Sequence, residues 1–229
     1  MLLPTDTPRR QPGEPSTPTA SPTPHYLALG DSYTIGEAVA AHERWPAQLV
    51  RRLRRAGSAL AEPHIVAATG WTTDELAHGI DAAALDPPYD LVTLQIGVNN
   101  QYRGRPAGDY RRQFANLLAR AVALAGHHAT RVVIVSIPDW GVTRFARELG
   151  RDAARIAHDL DVCNAIARDE TARAGARFVD VTAVSRKHPE LVAADGLHPS
   201  AAQYALWVDA IAPTVHAALR SPRQQPAVR

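Results

Sequence analysis

From His25 onward the chain alternates two patterns: short apolar runs of strand type, and longer stretches in which apolar residues recur every three or four positions. The strand-like runs are Tyr26 to Leu29, Ile65 to Ala68, Leu91 to Ile96, Val132 to Ile137 and Phe178 to Val181. Between them the helical period predicts segments at about 43–56, 72–84, 107–125 and 151–174; the last carries Ile156, Leu160, Cys163 and Ala167 on one face and stops at Gly175. A final helix is expected to begin near Ser200, a good N-cap after Pro199, and to kink or restart at Pro213. Strand and helix in alternation predict an α/β fold with a parallel sheet covered by helices on both faces. No internal repeat marks a solenoid.

In such a sheet, ligands bind beyond the carboxyl ends of the strands. That rule directs attention to five loops: Gly30 to Gly36, Thr69 to Thr73, Gly97 to Gly104, Pro138 to Thr143 and Asp195 to His198. The glycine-rich and polar segments of the chain fall there.

Composition narrows the picture further. With 229 residues, 45% of them hydrophobic, the chain can bury one ordinary core. Its longest apolar runs fall far short of the roughly 18 residues of a membrane span. The net charge of +2 is more than accounted for by Arg220, Arg223 and Arg229, so no concentrated basic face for nucleic acid is expected. A lone Cys163 excludes an intrachain disulfide and a cysteine-based zinc cluster, and His127-His128 lacks metal-ligand spacing, so no metal is expected. Residues 1–24, with seven prolines, five threonines and no aromatic residue, read as a disordered tail, and 221–229 as a flexible C-terminal tail. The domain is thus expected over 25–220. No signal-peptide pattern is recognised at the start, because Pro4, Asp6 and Arg9 interrupt any apolar run; cytoplasmic residence is the default expectation.

Candidate chemistry begins after the first strand, where Gly30-Asp31-Ser32-Tyr33 sets a serine at the strand's exit. This is neither a dinucleotide fingerprint nor a phosphate loop, and Thr34 stands where a G-x-S-x-G elbow would have its second glycine. Near the other end, Asp195-Gly196-Leu197-His198-Pro199 places an aspartate three residues before a histidine. A serine hydroxyl needs a base, and an imidazole base needs an acceptor that fixes its tautomer; this pair supplies both. Gly70 can expose its N–H without a side chain in the way, and Asn99 can point an amide into the same space, as oxyanion donors must. Singly, each has a plainer reading: a turn serine, a solvated loop, a helix-entry glycine, a loop asparagine.

Together, Gly30-Asp31-Ser32-Tyr33, Gly70, Gly97-Val98-Asn99-Asn100 and Asp195-Gly196-Leu197-His198-Pro199 resemble, in order, the four blocks of the SGNH hydrolases, the GDSL esterase and lipase family. The resemblance spans essentially all of 25–220. It implies a three-layer α/β/α sandwich with a central parallel sheet of about five strands, the flavodoxin-like arrangement. It also implies Ser32 as nucleophile, His198 as general base and then acid, Asp195 as its orienting partner, and an oxyanion hole of the Ser32 and Gly70 N–H groups with the Asn99 side chain. One block departs: the family usually has Gly-x-Asn-Asp, and Asn100 here replaces the aspartate, which bears on the support of that loop rather than on Asn99 itself.

Tyr33, Trp71, Tyr102, Arg103 and Trp140 fall in or beside the same loops and are candidates for the substrate pocket, whereas Trp45 and Trp207 sit in helical runs and are expected to pack. Arg103 admits two readings, a contact to an anionic substrate group or a solvated loop arginine. The run Arg51-Arg52-Leu53-Arg54-Arg55 reads as a wet helix face. The expected activity is hydrolysis of a small carboxylic ester through an acyl-enzyme, without a cofactor. A thioesterase, a lysophospholipase, a carbohydrate O-deacetylase or an acyltransferase would use the same residues, and a catalytically idle binding module is the alternative from another class. The absence of an evident lid or long apolar insertion disfavours a lipase working at a lipid interface.

Overall fold

The computed structural model describes residues 23–220. Most of the Pro-rich segment and the segment from 221 onward lie outside the described residues. Five strands form one parallel sheet: β1 (Tyr26–Gly30), β2 (His64–Ala67), β3 (Leu91–Gln95), β4 (Val132–Val135) and β5 (Arg177–Val179), in the order β2-β1-β3-β4-β5. Central strands must be apolar on both faces, and every residue of β1, β3 and β4 is buried.

The helices are α1 (Ser32–Ile35), α2 (Trp45–Arg55), α3 (Thr73–Ala82), α4 (Val98–Tyr102), α5 (Ala107–Leu124), α6 (Arg144–Glu148), α7 (Ala153–Ala174), α8 (Thr182–Lys187) and α9 (Ala201–Arg220). The strand order, with right-handed crossovers, dictates the layers. Passing from β1 to β2 moves outward one way and carries α2 over one face; every later crossover moves the other way and carries α3, α5 and α7 over the opposite face. Helix α9, leaving β5, returns to pack on α2, while α5 lies between α3 and α7. Trp45 and Trp207, on these two partners α2 and α9, are both fully buried. The arginines of α2 face solvent, where Arg54 pairs with Glu62 at 2.6 Å.

The long helices stand close to where the periodicity puts them. Four short ones, α1, α4, α6 and α8, carry no readable period because each has at most six residues. Pro213 neither ends nor restarts α9, which runs unbroken through it. The proline and Asp209, whose carbonyl loses its helical partner, are both on the exposed face, so water can take the missing bond. Among the described residues no helix is long and apolar enough to cross a membrane.

Candidate active site

In the order β2-β1-β3-β4-β5 the chain reverses direction of travel beside β1, and a crevice opens past the carboxyl ends of β1 and β3. Ser32 and Asn99 follow those two ends. Gly30 makes the sharp exit possible, since a Cβ there would lie 2.1 Å from Thr34 Oγ1 and 2.6 Å from the Gln95 carbonyl. Asp31 then caps α1, accepting from the Tyr33 amide at 3.1 Å. Burial pushes its carboxyl up to about 7, although the amides of Tyr33, Asp31 itself and Gly97 all favour the charged form. Ser32 thus stands at the first position of a helical turn whose leading N–H groups have no intrahelical partner.

The second half of the site arrives from the far end of the fold. His198 Nε2 lies 3.0 Å from Ser32 Oγ, and His198 Nδ1 lies 2.6 Å from Asp195 Oδ2. The other Asp195 oxygen accepts from the amides of Leu197 and His198, at 2.9 and 3.0 Å, so the carboxylate orders its own loop. Desolvation opposes charge on Asp195, but the His198 ring and these two amides together hold its carboxyl below the usual range. Gly196 turns the loop at φ +73°, with a Cβ there meeting Arg144 Nε at 2.8 Å. The start of α6 braces the same loop: Phe145 N donates to the Gly196 carbonyl at 3.0 Å and Arg144 Nη2 to that of Ala194 at 2.9 Å. From α9, Tyr204 donates to the Tyr33 carbonyl at 3.0 Å, and the Tyr33 ring meets His198 edge-on at 5.7 Å.

Gly70, at φ +84°, lies in the loop after β2. Asn99, on α4, donates from Nδ2 to the Trp71 carbonyl at 2.9 Å, which ties the two loops together. Ser32, Gly70, Asn99 and His198 all line one cleft of about 220 Å³.

Of the residues expected to shape this pocket, Tyr33, Tyr102 and Trp140 line it. Trp71 and Arg103 stand outside the lining. The Trp71 ring lies against α3, so close to Gly79 that a Cβ there would be 2.2 Å away. Arg103 is a brace: Nη2 donates to the Gly70 carbonyl at 2.7 Å and Nη1 reaches Glu75 Oε1 at 3.1 Å. Asn100 is buried and holds Thr73, the first residue of α3. Thr69, Val98, Phe145 and Leu197 also line the cleft. Val98 and Leu197 sit inside motif blocks, and their neighbours could have flagged them; Phe145 follows a loop whose short helix left no periodic signal. Among the described residues no group of three or more His, Cys, Asp and Glu side chains is placed to hold a metal ion. Cys163 is buried on α7, where burial pushes its thiol up to about 11.

Several solved structures share this fold. A lipase/acylhydrolase from Enterococcus faecalis superposes with a TM-score of 0.65 at 22% identity, covering 88% of this chain and 100% of that one. The psychrotrophic esterase EstA from a Pseudoalteromonas species gives a TM-score of 0.67 at 16% identity, over 86% and 99%. An acetylxylan esterase from Geobacillus stearothermophilus gives 0.62 at 16% identity, over 88% and 97%. No curated protein sequence matches the chain. The sequence model of the GDSL-like lipase/acylhydrolase family, in contrast, matches residues 28–206, most of the chain. With that match over the same stretch that builds the sheet and gathers Ser32 and His198 at its edge, the chain belongs to the GDSL-like lipase/acylhydrolase family of ester hydrolases.

Proposed function

We propose that Ser32, His198 and Asp195 are the catalytic triad of a carboxylic ester hydrolase that works through an acyl-enzyme on Ser32. The observation that carries this reading is the continuous hydrogen-bonded line from Ser32 Oγ through His198 to Asp195, with spacings of 3.0 and 2.6 Å, inside a cleft. Both distances lie within the reach a nucleophile and its base need.

Ser32 Oγ attacks the ester carbonyl carbon while His198 Nε2 takes its proton. The carbonyl oxygen becomes an oxyanion, held by the N–H groups of Ser32 and Gly70 and by the Asn99 side-chain amide. As the tetrahedral centre collapses, His198 gives the proton to the departing alcohol oxygen, leaving the acyl group on Ser32. A water then attacks the acyl carbon, His198 accepts its proton, and collapse releases the acid and returns the proton to Ser32. Throughout, Asp195 holds Nδ1–H, which keeps Nε2 free to accept and stabilises the imidazolium. No step calls for a cofactor.

The test is hydrolysis of p-nitrophenyl acetate together with labelling by a fluorophosphonate. Ser32→Ala is expected to abolish both with the melting temperature retained. Turnover by a folded Ser32→Ala protein sinks the assignment, and a folded wild-type chain that never reacts with the probe points to a binding module instead.

A further inference from the structure

Behind Trp140 lies an ion pair between a buried carboxylate and a partly exposed arginine that none of the acyl-transfer steps uses. Asp139, with its side chain 2% exposed, accepts from Arg186 Nε on α8 at 2.8 Å. Its other oxygen accepts from the Gly141 amide at 2.8 Å, capping the turn Trp140–Val142, and its own amide donates to Ser185 Oγ at 2.8 Å. Arg186 reaches on to Asp161 on α7, again at 2.8 Å. Two helices therefore grip the peptide that leads into Trp140.

The indole is held from the other side as well. Its Nε1 donates to Gln101 Oε1 at 2.9 Å, and Gln101 sits on α4 with Asn99. The Thr143 hydroxyl donates to the Trp140 carbonyl at 2.6 Å, and the Tyr102 ring meets the indole edge-on at 5.5 Å. A side chain fixed at its backbone, its ring nitrogen and its ring edge cannot swing aside to admit a longer group. Burying the Asp139 carboxylate costs desolvation, which offsets much of the Coulomb gain; what this pair supplies is an anchor for the turn.

The cleft that Trp140 walls is small. Its volume of about 220 Å³ lies below the roughly 300–1,000 Å³ typical of sites for drug-sized ligands. Beside the reacting groups its lining is mainly apolar and aromatic, Thr69 being the one further aliphatic hydroxyl, with no Asp, Glu, Lys or Arg. Arg186 itself lines a separate hollow of about 380 Å³, which shares no lining residue with the cleft. Arg186 does not line the cleft, and its contact to Asp139 links it to the turn that carries Trp140.

We propose that the cleft selects esters of short apolar acyl groups because Trp140 walls it, and that Asp139 and Arg186 are positioning residues that hold that wall. This rests on Ser32 being the nucleophile. Chain-length preference follows from the position of the wall, so loosening the wall changes the ratio of activities toward long and short acyl groups. That ratio does not depend on how much of the preparation is folded.

The experiment measures kcat and KM on p-nitrophenyl acetate, butyrate and octanoate, with Ser32 labelling and melting temperature recorded for each protein. Wild type is expected to favour acetate and butyrate. Arg186→Met is expected to raise the octanoate-to-acetate ratio of kcat/KM by roughly ten-fold, chiefly through KM for octanoate, the scale at which hydrophobic pockets discriminate. Arg186→Lys, which keeps the charge and loses the fork, is expected to move the ratio the same way by less, and serves if the methionine variant does not fold. Trp140→Ala is expected to raise the ratio at least as far, and Arg186→Met is then expected to add less than about two-fold, because both changes act on one wall. A wild type that prefers octanoate, an unchanged ratio in folded Arg186 variants, or equal effects in both backgrounds overturns the proposal while leaving the nucleophile in place. Loss of probe labelling and of all ester turnover in wild type overturns both.

Discussion

Asn100 and Thr73 exchange two hydrogen bonds: the Thr73 amide donates to Asn100 Oδ1 at 3.1 Å, and Asn100 Nδ2 donates to the Thr73 hydroxyl at 2.7 Å. That hydroxyl in turn donates to Gln113 Oε1 on α5. A carboxylate at position 100 could accept from the amide but could not donate, so the hydroxyl would have to turn toward it and leave Gln113. The asparagine that departs from the family's usual aspartate is thus matched to its neighbours here.

Replacing Asn100 by alanine strips the Thr73 amide of its partner in a buried place. We expect a stability loss of about 1–3 kcal/mol, with a lower kcat because α4 also carries Asn99. Asn100→Asp is expected to lose stability increasingly as pH rises, since only its ionised form must be desolvated without a cation beside it. Chemical denaturation of both variants at two pH values checks this, and an aspartate variant as stable as wild type at high pH contradicts it.

Of the proposed oxyanion donors, Gly70 stands on a turn that Arg103 braces, and Asn99 donates to the Trp71 carbonyl of that turn. Its guanidinium holds the Gly70 carbonyl and Glu75, and Glu75 Oε2 accepts from the Thr72 amide at 2.8 Å, so the turn from Gly70 to Thr72 is pinned at both ends. Asn99→Ala is expected to cost on the order of 10²–10³-fold in kcat. Arg103→Met is expected to cost roughly ten-fold with KM little changed, and the double variant less than the product, because both act on one oxyanion. Steady-state kinetics decide, and a purely KM effect of Arg103→Met would assign it to substrate binding instead.

Asp31 ties stability to pH. Its carboxyl, raised by burial to about 7, favours the folded state while protonated; that contribution is complete below about pH 4, the unfolded value, and is lost as pH rises through 7. Asp31→Asn has no charge to desolvate. The difference in stability between variant and wild type is therefore expected to grow in the variant's favour between about pH 4 and 7 and to level off above, by on the order of 1–4 kcal/mol. A difference that stays constant across that range refutes the assignment.

The strands and long helices were legible because β1, β3 and β4 are short, mainly apolar runs and α5 and α7 keep a helical period over many turns. The edge where chemistry gathers followed from parallel topology, and the four blocks named Ser32, Gly70, Asn99 and His198. What the sequence hid depends on contacts between distant segments. Arg103 reads from sequence as a substrate contact or a solvated loop arginine, yet it braces Gly70, 33 positions away. Trp71 looked like a pocket residue, yet Gly79 opens a seat for it on α3. Phe145 and the Asp139–Arg186 pair stand on α6, α8 and a single turn, elements too short to leave a period.

Ser32 and His198 are 166 positions apart in the chain, one at the exit of the first strand and the other just before the last helix. During synthesis the proposed nucleophile therefore leaves the ribosome long before its proposed base. A nascent or partly folded chain that has already formed β1 holds only an ordinary hydroxyl, and it becomes reactive when the loop before α9 docks. With that triad, ester turnover reports complete assembly: a truncated or clipped protein missing its last segment is expected to be chemically silent, however native its sheet.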